Sequence, residues 1–141
     1  MSSSPLHWQA TYDTGVEEID LQHRYFMALI NRLTAELAAS DDPKYRQSLL
    51  NELAKYAAFH FASEENLMAK FGYPDRERHR MLHIELIDKL SSRMNAMTYE
   101  PLFEFLIGWF IQHTTTEDHR IGEHVRVAHE QESPYLPQPA L

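Results

Sequence analysis

The sequence contains no cysteine. That excludes disulfides, thiolate metal sites and cysteine nucleophiles. It has no apolar run approaching the roughly 18 residues that cross a bilayer, so no membrane span is predicted. Basic residues are scarce: 13 Lys and Arg stand against 21 Asp and Glu, a formal charge of −8. Nucleic acid, whose phosphates need a basic patch, is a poor match for such a surface. Met1–Pro5 is a short serine-rich lead with neither a basic nor an apolar stretch. It is not expected to act as a signal peptide, and a cytoplasmic protein is expected.

What remains is a chain of 141 residues with an ordinary 43% of hydrophobic residues. A chain of that length makes one domain that hides roughly two-thirds of its unfolded surface. Its one excess is histidine, nine in all.

Four segments show the three-and-four spacing of apolar residues that marks helices. The first spans about Glu17 to Ala39, with Ile19, His23, Phe26, Ile30, Leu33 and Leu37 on one face. Ser40-Asp41-Asp42-Pro43 ends it and caps the second, since proline is tolerated in a first turn. The second spans about Pro43 to Lys70, with Leu49, Leu53, Ala57, His60, Glu64, Leu67 and Phe71 facing in. Gly72-Tyr73-Pro74-Asp75 is a stop-and-turn signal, and Asp75 is the expected N-cap of the third, about Arg76 to Met97. His79, His83, Leu86, Leu90 and Met94 share a face there. Thr98 is the expected N-cap of the fourth, about Tyr99 to Val127, with Pro101 in its first turn and Leu102, Leu106, Trp109 and His113 facing in. Short connections between long helices make neighbours antiparallel. The predicted fold is therefore all-α, an up-down-up-down four-helix bundle over residues 1–130. Residues 1–16 form an extended N-terminal arm, and 131–141, with Pro134 and Pro137, form a flexible tail.

The apolar stripes are interrupted near mid-helix by His23, by His60 and Glu64, by His79 and His83, and by His113. A half-paired polar group in a dry core costs several kcal/mol, so one such group per helix, or two, calls for a common cause. A bound metal supplies one. His60/Glu64 and His79/His83 are i,i+4 pairs, whose side chains lie about 40° apart and one turn displaced. Both members of a pair can approach one ion. Imidazole and carboxylate without thiolate suit iron, manganese, copper or zinc. Singly, each of these histidines reads as an ordinary core or boundary residue; only the joint pattern points to metal.

In order along the chain, Trp8-x3-Tyr12, Gly15-Val16, Ile19-Asp20-x-Gln22-His23, His60-Phe61-x2-Glu64-Glu65, Leu67-Met68, Tyr73-Pro74, His79-x3-His83 and Trp109-x3-His113-x4-Asp118 resemble the hemerythrin family. The resemblance runs from Trp8 to about His119 and is closest to its single-domain bacterial members. It implies reversible dioxygen binding, not enzymatic turnover, at two iron ions joined by an oxo or hydroxo bridge. It implies that His79, His83 and His113 hold one iron, and that His23 and His60 hold the other, which keeps an open position. Glu64 and Asp118 would bridge the two. Glu65, next to a ligand, would either support one from behind or be solvated, in preference to bridging, and Asp20 would make a structural hydrogen bond. The implied partners are dioxygen and an oxygen-consuming protein that receives it, with the chain itself a monomer.

One spacing resists a regular helix. His113 and Asp118 are i,i+5, about 140° apart, whereas Glu117 at i+4 is the naive ligand. Following the family's pattern selects Asp118, and a π-type irregularity is then expected near Thr114 to Asp118. An apolar oxygen pocket is expected from Phe26, Phe61, Trp109 and Phe110, with Thr114 beside it. The family commonly carries aliphatic residues where this chain has Phe110 and Thr114. A hydroxyl at 114 brings polarity to the pocket, so faster autoxidation is expected. His7, His119, His124 and His129 are assigned to surface or structural roles.

Two other functions share the residues: an oxygen or redox sensor acting through a partner protein, and a di-iron oxidase or peroxidase. The latter class uses Glu-x-x-His on two helices, and no Glu in this chain has a His three residues later. A zinc hydrolase is weaker still, because His79-Arg80-Met81-Leu82-His83 lacks the glutamate of H-E-x-x-H.

Overall fold

The computed structural model describes residues 6–96 and 99–132, without the side chains of 93–102 and 129–132. Within them α1 (Glu17–Ala39), α2 (Pro43–Lys70) and α3 (Arg76–Ala96) are followed by α4 (Tyr99–His113), a π-helical turn (Thr114–Asp118) and α5 (His119–Glu132). His113 and His119, at the two ends of the π turn, are both right-handed helical, so α4, the turn and α5 form one rod. Contacts join α1 to α2, α2 to α3, α3 to α4 and α4 to α1, which closes a four-helix bundle. Thr98, the Pro134–Pro137 tail and the side chains of Met94, Pro101, Leu102 and His129 lie outside the described residues.

The ends of the helices follow local chemistry. Glu17, Glu18 and Asp20 place negative charge in the first turn of α1, against the positive end of its dipole. Asp42 caps α2 by accepting from the Lys44 N–H at 3.1 Å, with Pro43 at the first helical position. Gly72, at φ +61°, stops α2. Tyr73 N–H donates to Met68 O (2.9 Å) and Gly72 N–H to Ala69 O (3.3 Å), the paired bonds of a Schellman motif. Asp75 then precedes α3, its carbonyl accepting from His79 N–H at 2.9 Å.

The core is two apolar clusters with a polar layer between them. The larger gathers Phe26, Ile30, Leu33, Leu53, Leu86, Leu90, Phe103, Leu106 and Phe110. The smaller seals the other end with Ile19, Met68, Tyr73 and Ile121. Two expected stripes shift by a residue. On α2 the side chain buried beyond Glu64 is Met68, four residues on, while Leu67 and Phe71 are only half-buried. On α4 it is Phe103, Leu106 and Phe110 that are buried, and Trp109 lies half-buried beside them. Such drift is what a 3.6-residue period does to a stripe judged by whole steps of three and four.

The arm is folded against the bundle. Leu6 exchanges two 2.8 Å hydrogen bonds with the Asn31 side chain. A 3₁₀ turn, Ala10–Tyr12, interrupts the expected extension and buries Tyr12. Asp20 accepts from Thr14 N–H and Oγ1–H at 2.8 Å each, and from Gly15 N–H at 3.2 Å. This is the structural bond expected of it. Gly15 takes φ +90° at that corner, a conformation glycine adopts without strain.

Candidate metal centre

All seven predicted ligands are buried and converge on one point in the bundle: His23, His60, Glu64, His79, His83, His113 and Asp118, none above 5% exposed. Their donor atoms fall into two groups, each within 4.8 Å: Glu64, His79, His83, His113 and Asp118, and His23, His60, Glu64 and Asp118. The two carboxylates belong to both groups, one oxygen to each side. Glu64 Oε1 lies 2.8 Å from His79 Nε2 and 3.0 Å from His83 Nε2. Its Oε2 lies 3.3 Å from His60 Nε2 and 3.6 Å from His23 Nε2. Asp118 Oδ1 lies 3.1 Å from both His79 and His113, and its Oδ2 lies 2.9 Å from His23.

The polypeptide reaches this arrangement in two ways. Regular α-helix suffices for α2 and α3, where i,i+4 spacing places both members of a pair on one face. The fourth rod needs the π turn, whose extra residue brings Asp118 onto the face of His113. The threonine run supports it: Thr115 Oγ1–H donates to Ile111 O (2.7 Å) and Thr116 Oγ1–H to Gln112 O (2.6 Å). Such back-bonding perturbs a helix. Glu117 faces away, in a bidentate pair with Arg78 at 2.6 and 3.2 Å.

The donor set fits a metal pair on the structure's own terms. Glu64 Oε2, Asp118 Oδ1 and His83 Nε2 are buried and lie within ion-pair distance of other members of the cluster, yet none of them completes a hydrogen bond of acceptable geometry. Groups in that condition are costly unless a cation completes them. His113 Nε2 and His79 Nε2 meet at 3.2 Å, nitrogen to nitrogen, as two ligands of one ion would. The protein's charges balance the same way. Burial alone pushes the His23 and His79 imidazoles toward neutrality. The Asp118 and Glu64 carboxylates outweigh it and raise His23 to about 10 and His79 to about 9. Burial likewise opposes ionisation of Glu64, yet His60, His23 and His79 hold its carboxyl well below the usual range. Burial and Glu64 oppose ionisation of Asp118, and His113 and His23 drive its carboxyl well below that range too. Imidazolium protons thus stand where metal charge would.

The predicted pocket residues divide between the two groups. Phe61 stacks on His83 (centroids 3.9 Å apart, planes at 9°), and Trp109 stacks on His113 (4.2 Å, 13°), so both wall the five-donor group. Phe26 meets the His60 ring edge-on at 5.9 Å and Phe110 meets His23 at 5.7 Å, beside the four-donor group. Thr114 is buried next to His113 in sequence. Of the remaining histidines, His7 and His119 are exposed. His124 hydrogen-bonds Phe71 O at 2.8 Å and packs on Tyr73.

Sequence reasoning missed the role of Gln22. Its Oε1 lies 2.8 Å from His60 Nδ1, its Nε2 donates to Ser63 Oγ at 2.9 Å, and its backbone carbonyl accepts from Tyr56 O–H at 2.8 Å. The available signal was its place directly before His23, on the turn that also faces α2. Of the two roles open to Glu65, support of a ligand or solvation, the structure shows the first, 3.0 Å from His83 Nδ1, with one side still in solvent.

Comparison with known proteins agrees with this geometry. Residues 14–125 match the family model described as the hemerythrin HHE cation binding domain. The chain is 30% identical over 118 residues to a bacteriohemerythrin of Pseudomonas aeruginosa, covering 80% of this chain and 76% of that protein. It is 28% identical over 115 residues to a hemerythrin-like protein of Naegleria gruberi, covering 82% and 89%. Among solved structures, a crystal structure of wild-type hemerythrin superposes with a TM-score of 0.77 at 26% identity, covering 85% of this chain and 97% of that one.

Proposed function

The chain belongs to the hemerythrin family, and from that premise we propose that it binds dioxygen reversibly at a pair of iron ions. One ion would be held by His79, His83 and His113, the other by His23 and His60, with Glu64 and Asp118 shared. The observation that carries the reading is the inequality of the two groups, five protein donors against four. If one further atom is shared between two six-coordinate ions, the five-donor group is complete and the four-donor group keeps one position for a ligand. When bound, the irons supply one electron each to dioxygen at that open position.

The chain's own residues do the rest. The two carboxylates fix the spacing of the groups. Phe61 and Trp109, stacked on His83 and His113, close the complete side. Phe26 and Phe110, in contact with each other at 5.6 Å and with His60 and His23, exclude water from the open side. A dry, apolar wall limits the access of water and protons that would convert reversible binding into oxidation. This is the work of a binding protein, not of an enzyme. No helix among the described residues is long and apolar enough to cross a membrane. A cytoplasmic monomer that passes dioxygen to an oxygen-consuming protein completes the proposal, with residues 1–130 as its working unit.

The test is anaerobic reduction of the iron-loaded protein followed by titration with dioxygen and then its removal, watched by visible absorption. Two irons per chain and a charge-transfer band that appears and disappears are expected. A band that never forms, or that forms and cannot be reversed, would count against the proposal.

One observation favours a second reading, as a sensor. The 3₁₀ turn of the arm lies against the π turn that carries Asp118. A change in ligation at Asp118 would therefore reach the arm. Hydrogen exchange of residues 6–16 that differs between the oxygenated and reduced forms would support signalling; identical exchange would leave the carrier reading alone.

A further inference from the structure

The two groups of donors are backed by different chemistry. His60, in the four-donor group, has its Nδ1 2.8 Å from Gln22 Oε1. Because Gln22 Nε2 donates to Ser63 Oγ, its carbonyl oxygen is the atom turned to His60, and the acceptor is a neutral amide. His83, in the five-donor group, has its Nδ1 3.0 Å from Glu65 Oε2, and that acceptor is a carboxylate. His23 and His79, one in each group, have no partner at Nδ1. Among these four histidines the difference between the groups therefore rests on one amide and one carboxylate.

The difference has a direction. A hydrogen bond to an ionised acceptor is roughly twice as strong as one to a neutral acceptor. An acceptor behind a ligating imidazole pulls on the N–H and makes the other ring nitrogen a better donor to metal. Glu65 also keeps a side to solvent, its side chain 32% exposed, where it lines a cleft of about 230 Å³ between α2 and α3 with Phe61, His83 and Ile87. The Gln22 amide, by contrast, is held on both sides, by His60 and Ser63, while Tyr56 fixes its backbone carbonyl.

We propose that Gln22 and Glu65 are positioning residues that set the two ion positions apart electronically. The carboxylate behind His83 makes the complete, three-imidazole position the stronger electron donor. The neutral amide behind His60 keeps the open, two-imidazole position the weaker donor, which favours return of its electron and release of dioxygen. The inference rests on the two-ion reading of the centre and adds to it a cause for reversibility.

The experiment uses the full chain with Gln22→Glu, Glu65→Gln and the double exchange, which restores the net charge. In the zinc-loaded protein, which has no redox chemistry, the proton resonance of His83 Nδ1–H is expected downfield of that of His60. Glu65→Gln should move the former upfield and Gln22→Glu the latter downfield. In the iron-loaded protein, midpoint potential by spectroelectrochemistry should fall in Gln22→Glu and rise in Glu65→Gln, and the oxygenated form should decay several-fold faster in Gln22→Glu and in the exchange. Potentials that move together, or an exchange that decays like the parent, would overturn the inference. So would zinc-form resonances that do not separate, even if Gln22→Glu fails to load iron. Failure of the parent to bind dioxygen reversibly would sink the functional reading instead, while the zinc spectra still decide this one.

Discussion

Replacing Asp118 with alanine, beside a control at Glu117, tests the geometry most directly. Asp118 is buried, and its two oxygens approach His23 at 2.9 Å and His79 and His113 at 3.1 Å. In the metal-free protein Asp118→Ala takes from His113 the carboxylate at 3.1 Å and leaves His23 and His79 with Glu64 alone. Removing one partner of a buried pair costs about 3–5 kcal/mol. The imidazoles can relieve part of that by releasing a proton, so the lower end, about 3 kcal/mol, is expected. For a domain of this size that corresponds to a drop in Tm of about 10 °C. Iron is affected more simply, because the five- and four-donor groups fall to four and three, and loading should fall below two ions per chain. Glu117→Ala breaks the half-exposed pair with Arg78 and a longer one with Arg120, together worth at most about 1 kcal/mol. It should keep both irons. The measurements are thermal melts in chelator at neutral pH and colorimetric iron content. Equal iron loss in the two variants, or full loading of Asp118→Ala, would refute the assignment and the π turn's role with it.

Four further outcomes are expected. In chelator, stability should depend on pH in two ways. His23 and His79 are raised from 6.5 to about 10 and about 9, so their contribution is complete below about pH 6.5 and is lost as pH rises through 9 to 10. Glu64 and Asp118 are lowered, so theirs is present above the ordinary carboxylate range and is lost on acidification. Metal must displace the imidazole protons, so affinity for a divalent ion should rise between pH 6 and 9, and a flat profile would contradict the charge assignment. Thr114→Ile should slow decay of the oxygenated form, followed by absorption; unchanged or faster decay would remove the buried hydroxyl as a cause of autoxidation. Gly122→Ala should destabilise by about 1–3 kcal/mol in urea, because its Cβ would sit 2.1 Å from Thr14 O and push the arm off α5; an unchanged midpoint would mean the arm yields freely.

Much of this molecule is legible in its sequence because its signals are periodic. The α2 and α3 ligands fall at i,i+4, a spacing that states its own geometry, and the breaks at Pro43 and Gly72 are chemical punctuation. The fourth helix is different. Counting by 3.6 selects Glu117, and only the family's pattern of residues selects Asp118; the structure then gives Glu117 to Arg78, a partner 39 residues away that no local rule identifies. Gln22 was equally opaque. A glutamine beside a ligand reads as solvated surface until α2 is known to lie across from it. The arm reads as extended, yet Asp20 and Asn31 tie it to α1; a structural bond is assigned to Asp20 from the sequence, and nothing local marks Asn31 as its second anchor.

The arm also bears on how a π turn survives in a helix that would otherwise relax to regular geometry. A widened turn forfeits well-formed i→i+4 bonds and is favoured only when something else needs the displaced residue. Here three contributions converge on the same five residues. Thr115 and Thr116 donate to carbonyls of the preceding turn. Glu117 pairs with Arg78 on the outer side of the turn, while Asp118 is buried on the inner side. Beyond them Gly122 lets the Thr14 backbone approach more closely than any side chain would permit, and Asp20 holds Thr14 in place from α1. None of these involves metal. The turn therefore has supports of its own in the polypeptide, and they hold Asp118 on the face of His113.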